Sequence, residues 1–233
     1  MKKLLILATI SVMSVTVVSA QSNMRLTSKL NTTNGGSADL AEKIGKKESQ
    51  SATGSPYTLP SFVLASISNV KEMILVKYNA YTDEMEVDNG DGKIFILPKE
   101  QDFNTITLKT GTVYKYLQYN NSENESVKGY MVETTTVNGV TLLKKERVTL
   151  IPEKQPMNGY GSYAPPRYDK QSEEYYLLLK NNKVVSFPKN KKKLQELFPE
   201  QKEKIDTYLK QNDLSFKKEN DMVRLTQFVA TFS

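Results

Sequence analysis

Histidine, cysteine and tryptophan are all absent from this 233-residue chain, and the first two absences remove whole classes of chemistry. They leave no tetrahedral Cys/His zinc site, no thiolate nucleophile, no Ser-His-Asp triad and no histidine-ligated haem. Catalysis would fall to carboxylates, a Ser-Lys pair, tyrosine or a metal held by oxygen. No disulfide can brace the fold, so ordinary core burial must hold it together. No cofactor-binding pattern stands out, and no cofactor is expected.

Long apolar runs are scarce too, and the exception sits at the N-terminus. Lys2 and Lys3 precede an apolar or small uncharged stretch, residues 4–18, which is too short to span a bilayer comfortably. Val18-Ser19-Ala20 then places small residues where a signal peptidase reads them, so residues 1–20 read as a signal peptide and the mature chain begins near Gln21. No later stretch is apolar enough for a transmembrane span, and no cysteine follows the cleavage site to carry a lipid. The mature chain is therefore expected in the periplasm or associated with the outer membrane, with an extracellular location as the alternative. Of the 32 basic residues, Lys2 and Lys3 leave with the signal, so 30 face 26 acidic ones, a formal +4. That mild excess fits solubility or attraction to anionic envelope surfaces. An exported chain does not ordinarily meet chromosomal DNA, so nucleic acid is not an expected partner.

The composition changes along the chain. Residues 21–53 are rich in Ser, Thr, Asn, Gly and Lys, a poor basis for a core, and read as a flexible tail. Residues 54–187 carry runs of β-branched and aromatic residues separated by turn chemistry, read as a β-rich domain. The expected strands run Ser61 to Val70, Met73 to Asn79, Met85 to Val87, Lys93 to Leu97, Thr105 to Leu108 and Thr112 to Tyr119. Further strands are expected over Gly129 to Thr135 and Val140 to Ile151, then Glu174 to Leu179 and Val184 to Phe187. Asn138-Gly139 favours a type I′ hairpin. Residues 152–170, with Tyr160, Tyr163, Pro165, Pro166 and Tyr168, read as a flexible Pro-, Gly- and Tyr-rich connection. Residues 188–233 switch to helical period. Leu194, Leu197 and Phe198 share one face, Ile205, Tyr208 and Leu209 a second, and Met222, Leu225, Phe228, Val229 and Phe232 a third. These helices are too short to stand alone and should pack on the sheet or on one another. The fold class is α+β: an antiparallel meander, open and curved or barrel-like, followed by a small helical segment.

Four groups of residues invite chemistry. Asp88-Asn89-Gly90-Asp91-Gly92 offers calcium-type oxygens, but glycines stand where ligands would be needed, which favours a tight turn. Ser-x-x-Lys occurs at Ser68/Lys71, Ser186/Lys189 and Ser215/Lys218, about as often as chance would supply it. Lys109-Thr110-Gly111 and Ser122-Glu123-Asn124 resemble its companion elements in penicillin-recognising enzymes, but in the wrong order. Acidic pairs at Asp83-Glu84-x-Glu86 and Glu173-Glu174 would need to face one another across a cleft for glycoside chemistry. The remaining candidates are contact surfaces. Tyr160, Tyr163 and Tyr168 lie beside Pro and Gly in the connection, where a glycan or protein partner could meet them. Lys191, Lys192 and Lys193 open the first helix, where an anionic envelope lipid or glycan phosphate would be attracted. Against each stands a plainer use: docking of the loop on the sheet, and a solvated helix end.

With these segments in view, the chain resembles a group of uncharacterised exported envelope proteins of Bacteroidota, from about Gly54 to the C-terminus. The resemblance is carried by Gly54-Ser55-Pro56-Tyr57, by Lys77-Tyr78-Asn79-Ala80-Tyr81-Thr82-Asp83-Glu84-Met85-Glu86, and by the lysine-rich helical end. It implies an envelope location and brings no activity and no catalytic residues. Three functions are weighed: non-enzymatic binding or scaffolding, a lipid or small-molecule carrier with a cavity in the curved sheet, and a hydrolase using carboxylates or Ser-Lys.

Overall fold

Alternation of apolar and polar residues, broken at Asn, Asp and Gly, produces a sheet of many short strands. The structure, a computed structural model, describes residues 52–154 and 162–233. The expected signal peptide, nearly all of the expected tail, and Tyr160 lie outside the described residues. The strands are β1 (Val63–Ile67), β2 (Ile74–Asn79), β3 (Glu84–Asp88), β4 (Ile94–Ile96), β5 (Thr105–Leu108), β6 (Val113–Asn120) and β7 (Ser126–Val137). They continue as β8 (Val140–Lys145), β9 (Val148–Ile151), β10 (Arg167–Lys170), β11 (Glu174–Leu178) and β12 (Val184–Ser186). Three helices follow: α1 (Lys191–Leu197), α2 (Lys202–Gln211) and α3 (Glu219–Val229).

Ten strands form one open antiparallel sheet in the order β12-β11-β8-β7-β6-β5-β1-β2-β3-β4, which resolves the choice between an open and a closed sheet. Neighbours follow chain order except in two places. From β4 at one edge, the chain returns past three strands, through a single 3-10 turn at Gln101–Phe103, to set β5 beside β1. Between β8 and β11 it leaves the sheet to make a separate ribbon of β9 and β10. The hairpin joining β7 and β8 turns on Asn138 and Gly139, both at positive φ, as the Asn-Gly pair requires.

Three sequence expectations need correction. Val140 to Ile151 is two strands, not one, because β8 stays in the large sheet while β9 turns away to pair with β10. Residues 152–170 are not wholly irregular: Arg167–Lys170 is β10, its charged residues suited to a two-stranded ribbon with little core to cover. The expected tail also ends earlier, since Thr53 forms a parallel bridge with Arg167 and its carbonyl accepts the Tyr168 N–H at 2.8 Å.

Strand alternation sorts side chains into three cores. Tyr114 of β6 enters the first, with Ala65, Val76, Tyr78, Met85, Ile106 and Tyr130. Tyr119 enters another, with Met131, Leu143 and Tyr176. In β8, Leu142 turns to the helices and Leu143 away from them. The helices roof Val140, Leu142 and Leu177 with Leu194, Ile205, Met222, Leu225 and Val229, all buried, which is the expected packing of the helical segment on the sheet. Asn190 caps α1 by accepting the Lys193 N–H at 2.9 Å. Among the described residues no helix is long and apolar enough to cross a membrane.

Candidate functional site

Residues 56–57 meet the β2–β3 hairpin at Asn79 and Ala80, and the hairpin's two sides hold different polar clusters. On the outer side, Tyr57 pairs with Asn79 in an isolated bridge and the Ala80 N–H donates to the Pro56 carbonyl at 2.9 Å. The Tyr57 hydroxyl donates to both Glu86 oxygens at 3.0 and 3.1 Å, and Asn79 Nδ2 donates to Glu86 Oε1 at 3.2 Å. Lys77 Nζ lies 3.9 Å above the Tyr57 ring, 5.8 Å from the Phe62 ring, and donates to the Pro60 carbonyl. These contacts strap residues 56–62 onto the hairpin.

The inner cluster arises where β8 ends. Its pairing with β7 runs out at Val132 opposite Lys144, and β9 then departs. The backbone of Tyr130 on β7 is satisfied instead by side chains. Lys145 Nζ donates to the Tyr130 carbonyl at 2.9 Å, and the Tyr130 N–H donates to Asp83 Oδ1 at 3.2 Å. Lys145 Nζ also reaches Asp83 Oδ1 at 2.6 Å, and the Tyr78 hydroxyl donates to the same oxygen at 2.7 Å. The Lys145 side chain is 4% exposed and that of Asp83 25%, with Lys99 Nζ 3.9 Å from Asp83 Oδ2. Asp83 sits at φ 56°, a left-handed position that Asp tolerates in a turn. Gly129 passes directly beneath: a Cβ there would lie 2.5 Å from Asp83 Oδ2 and 2.9 Å from Lys145 Nζ.

Tyrosines wall this cluster. The Tyr78 ring lies 5.1 Å from Tyr114 and 6.0 Å from Tyr130, and Tyr130 lies 5.2 Å from Tyr116. Burial pushes Lys145 down from the ordinary lysine value, and the adjacent Asp83 pulls it back up. Burial, reinforced by Asp83, pushes the Tyr78 and Tyr130 hydroxyls far above the ordinary tyrosine value, and burial beside Glu146 does the same to Tyr114. Because the folded values lie above the unfolded value of about 10, this contribution to stability is fully present below that pH and is lost above it. The loss is about 1.4 kcal/mol per pH unit for each tyrosine. Phenolate absorbance in an alkaline titration should therefore include a cooperative step that coincides with loss of the circular dichroism signal. A wholly gradual rise in the folded state would contradict this.

The cluster can hold charge and position a backbone. The other candidates are dispersed. Ser68 Oγ donates to the Asp102 carbonyl and accepts the Thr105 N–H, tying the end of β1 to the 3-10 turn and the start of β5. Lys109 lies at the opposite end of β5, bonded through its N–H to the Leu64 carbonyl. Ser215 Oγ accepts the Lys217 N–H, ahead of α3. The acidic residues are committed to neighbours: Glu86 to Tyr57, Glu173 to Tyr175 and Lys144, Glu174 to Tyr176 and Arg147. In the 88–92 turn, Asp88, Asn89 and Asp91 accept backbone N–H groups two residues ahead, the turn rather than the calcium reading. No group of three or more metal-binding side chains occurs among the described residues.

The expected contact residues divide. Tyr163 is 51% exposed, its hydroxyl donating to Glu153 at 3.0 Å. Tyr168 is in β10, packs against the first core, and meets the ring of Tyr81, itself 46% exposed, at 5.5 Å. Lys191 pairs with Asp206 at 2.7 Å and Lys193 with Glu196 at 2.8 Å, while Lys192 is exposed. A wide groove of about 410 Å³ between α2 and α3 is lined by Lys204, Tyr208 and Phe228, the two rings stacked at 3.9 Å. Lys145 and Tyr81 were missed by sequence reasoning. The signal for Lys145 was a lysine in the alternation slot next after Leu143, where an apolar residue belongs.

No family model, no curated protein and no solved structure matches this chain.

Proposed function

We propose that this chain is an exported envelope protein that acts by binding or scaffolding rather than by catalysis, with its contact surface at the β9–β10 ribbon. The observation that carries the reading is the exposure of Tyr81 and Tyr163 beside that ribbon, in a chain whose other ring clusters are largely drawn inward. Exposed tyrosine supplies a large amphipathic surface at small entropic cost, the property that contact surfaces use. Export is supported by the positive start, the short apolar run and Val18-Ser19-Ala20. The resemblance to exported Bacteroidota proteins points the same way. A non-enzymatic role is supported by the commitment of the serines and carboxylates described above to structural partners. The carrier reading is weakened because Tyr78, Tyr114, Tyr130, Met131 and Leu143 fill the sheet's faces. The paired Lys191 and Lys193 make the helix end the weaker contact candidate.

Two measurements test the proposal. N-terminal sequencing of the protein from the envelope fraction should begin at Gln21; an intact N-terminus in the cytoplasm would overturn export. Cross-linking in intact cells should give adducts with the unaltered protein that fall several-fold in a Tyr81→Ser/Tyr163→Ser variant of unchanged stability. Equal adducts from both would place the contact surface elsewhere.

A further inference from the structure

We propose that Lys145 and Asp83 join covalently: the lysine Nζ and the aspartate Cγ form an intramolecular amide, releasing one water. The two groups come from a turn and a strand far apart in sequence, yet Nζ stands 2.6 Å from the carboxylate in a site where the lysine is 4% exposed. Groups held in this way react as though present at about 10⁵–10⁸ M when their geometry is favourable.

The surroundings suit each stage of the condensation. A proton passes from the Lys145 ammonium to the Asp83 carboxylate along the 2.6 Å contact, leaving a neutral amine and a carboxylic acid. The transfer removes two buried opposite charges, and burial already favours the neutral amine. The Nζ lone pair then attacks Cγ, and negative charge builds on Oδ1. That oxygen is held by the Tyr78 hydroxyl at 2.7 Å and the Tyr130 N–H at 3.2 Å, two donors placed as in an oxyanion hole. Oδ2 departs as water, carrying the transferred proton and a second proton from Nζ. Lys99 Nζ, 3.9 Å from Oδ2, adds positive charge beside the tetrahedral intermediate, and the partial exposure of Asp83 gives the water a way out. The product keeps one N–H to donate to the Tyr130 carbonyl, now 2.9 Å from Nζ. Bonds, protons and charge balance with no external reactant.

Gly129 gives the reaction its room, because any side chain there would collide with both reacting groups. The buried rings of Tyr78, Tyr114 and Tyr130 beside the site limit the water that could reverse the condensation by hydrolysing the amide. The bond would tie the β2–β3 hairpin to the end of β8, where regular pairing with β7 fails. In a chain without cysteine, it would serve as the covalent brace that a disulfide otherwise supplies.

The test is mass spectrometry of the purified, denatured, full mature protein. The expected mass is one water below that of the cleaved sequence, with a branched tryptic peptide linking the segments around Asp83 and Lys145. Lys145 should also resist an amine-acylating reagent in the denatured protein while the other lysines react. A full sequence mass with Lys145 acylated, or a water loss mapped to any other site, would overturn the proposal. Readout on the unaltered protein needs no variant to fold. As a second check, Tyr78→Phe and Tyr130→Phe should differ. The former removes an oxyanion donor and should slow bond formation several-fold after refolding, whereas the latter leaves the backbone donor in place. Equal rates would contradict the assigned role of Tyr78.

Discussion

Replacing Asp83 with alanine is expected to destabilise the protein by about 3–5 kcal/mol, the cost of leaving a buried charge without its partner. The Lys145 amine would keep the Tyr130 carbonyl as its main remaining acceptor at 2.9 Å, and the Tyr130 N–H would lose its acceptor at the same time. The lost attraction of Asp83 would also let burial depress the lysine further, since that attraction now opposes the shift. The sign of the pH dependence follows. With its folded value below the unfolded value of about 10.4, Lys145 binds more protons in the unfolded chain across that interval. The variant should therefore gain stability as pH rises toward the unfolded lysine value of about 10.4, until the buried tyrosines oppose it from about pH 10. Urea denaturation at a series of pH values measures both effects. A variant as stable as the parent at neutral pH would contradict the role given to the pair.

Ending the chain after Phe187 should have an effect at least as large. The helices cover Val140, Leu142 and Leu177 with five buried side chains, Leu194, Ile205, Met222, Leu225 and Val229. At about 1.5–3 kcal/mol for each buried side chain, their removal forfeits roughly 7–15 kcal/mol. That is comparable with the whole stability of a typical domain, about 5–15 kcal/mol. The shortened protein should elute as aggregates or higher oligomers and lose its tyrosine near-ultraviolet dichroism, while Lys192→Glu on the exposed end of α1 should change stability by no more than about 0.5 kcal/mol. A monomeric, folded product of the truncation would show that the sheet stands without its roof. Truncation after Lys170 is a poorer experiment, because β11 and β12 would leave with the helices and uncover the edge of β8.

Much of the fold is legible in the sequence where local chemistry determines it. Asn138-Gly139 imposes its hairpin, Met85 and Val87 alternate with acids along β3, and the stripe of Met222, Leu225 and Val229 marks α3 and its buried face. What is not legible depends on contacts between distant residues. Val148–Ile151 has the same composition as the strand before it, and only pairing with β10 separates the two. Arg167–Lys170 follows two prolines and carries three charges, so nothing local announces a strand. The return of the chain from β4 to β5 likewise has no local signature. For the candidate site, the acidic segment at Asp83 was visible but its partner was not. Lys145 is drawn inward because the β7 backbone at Tyr130 has no strand partner on its β8 side, a condition created only when the sheet assembles.

The central feature of the structure is the Lys145–Asp83 pair, which joins the β2–β3 hairpin to the end of β8. A double-mutant cycle over Asp83→Ala, Lys145→Ala and their combination, measured by urea unfolding, tests this most directly. The double variant should cost less than the sum of the single ones by at least about 2 kcal/mol, because each single change strands a buried partner. Costs that add to within about 0.5 kcal/mol would mean that the two residues act independently, and would contradict the account.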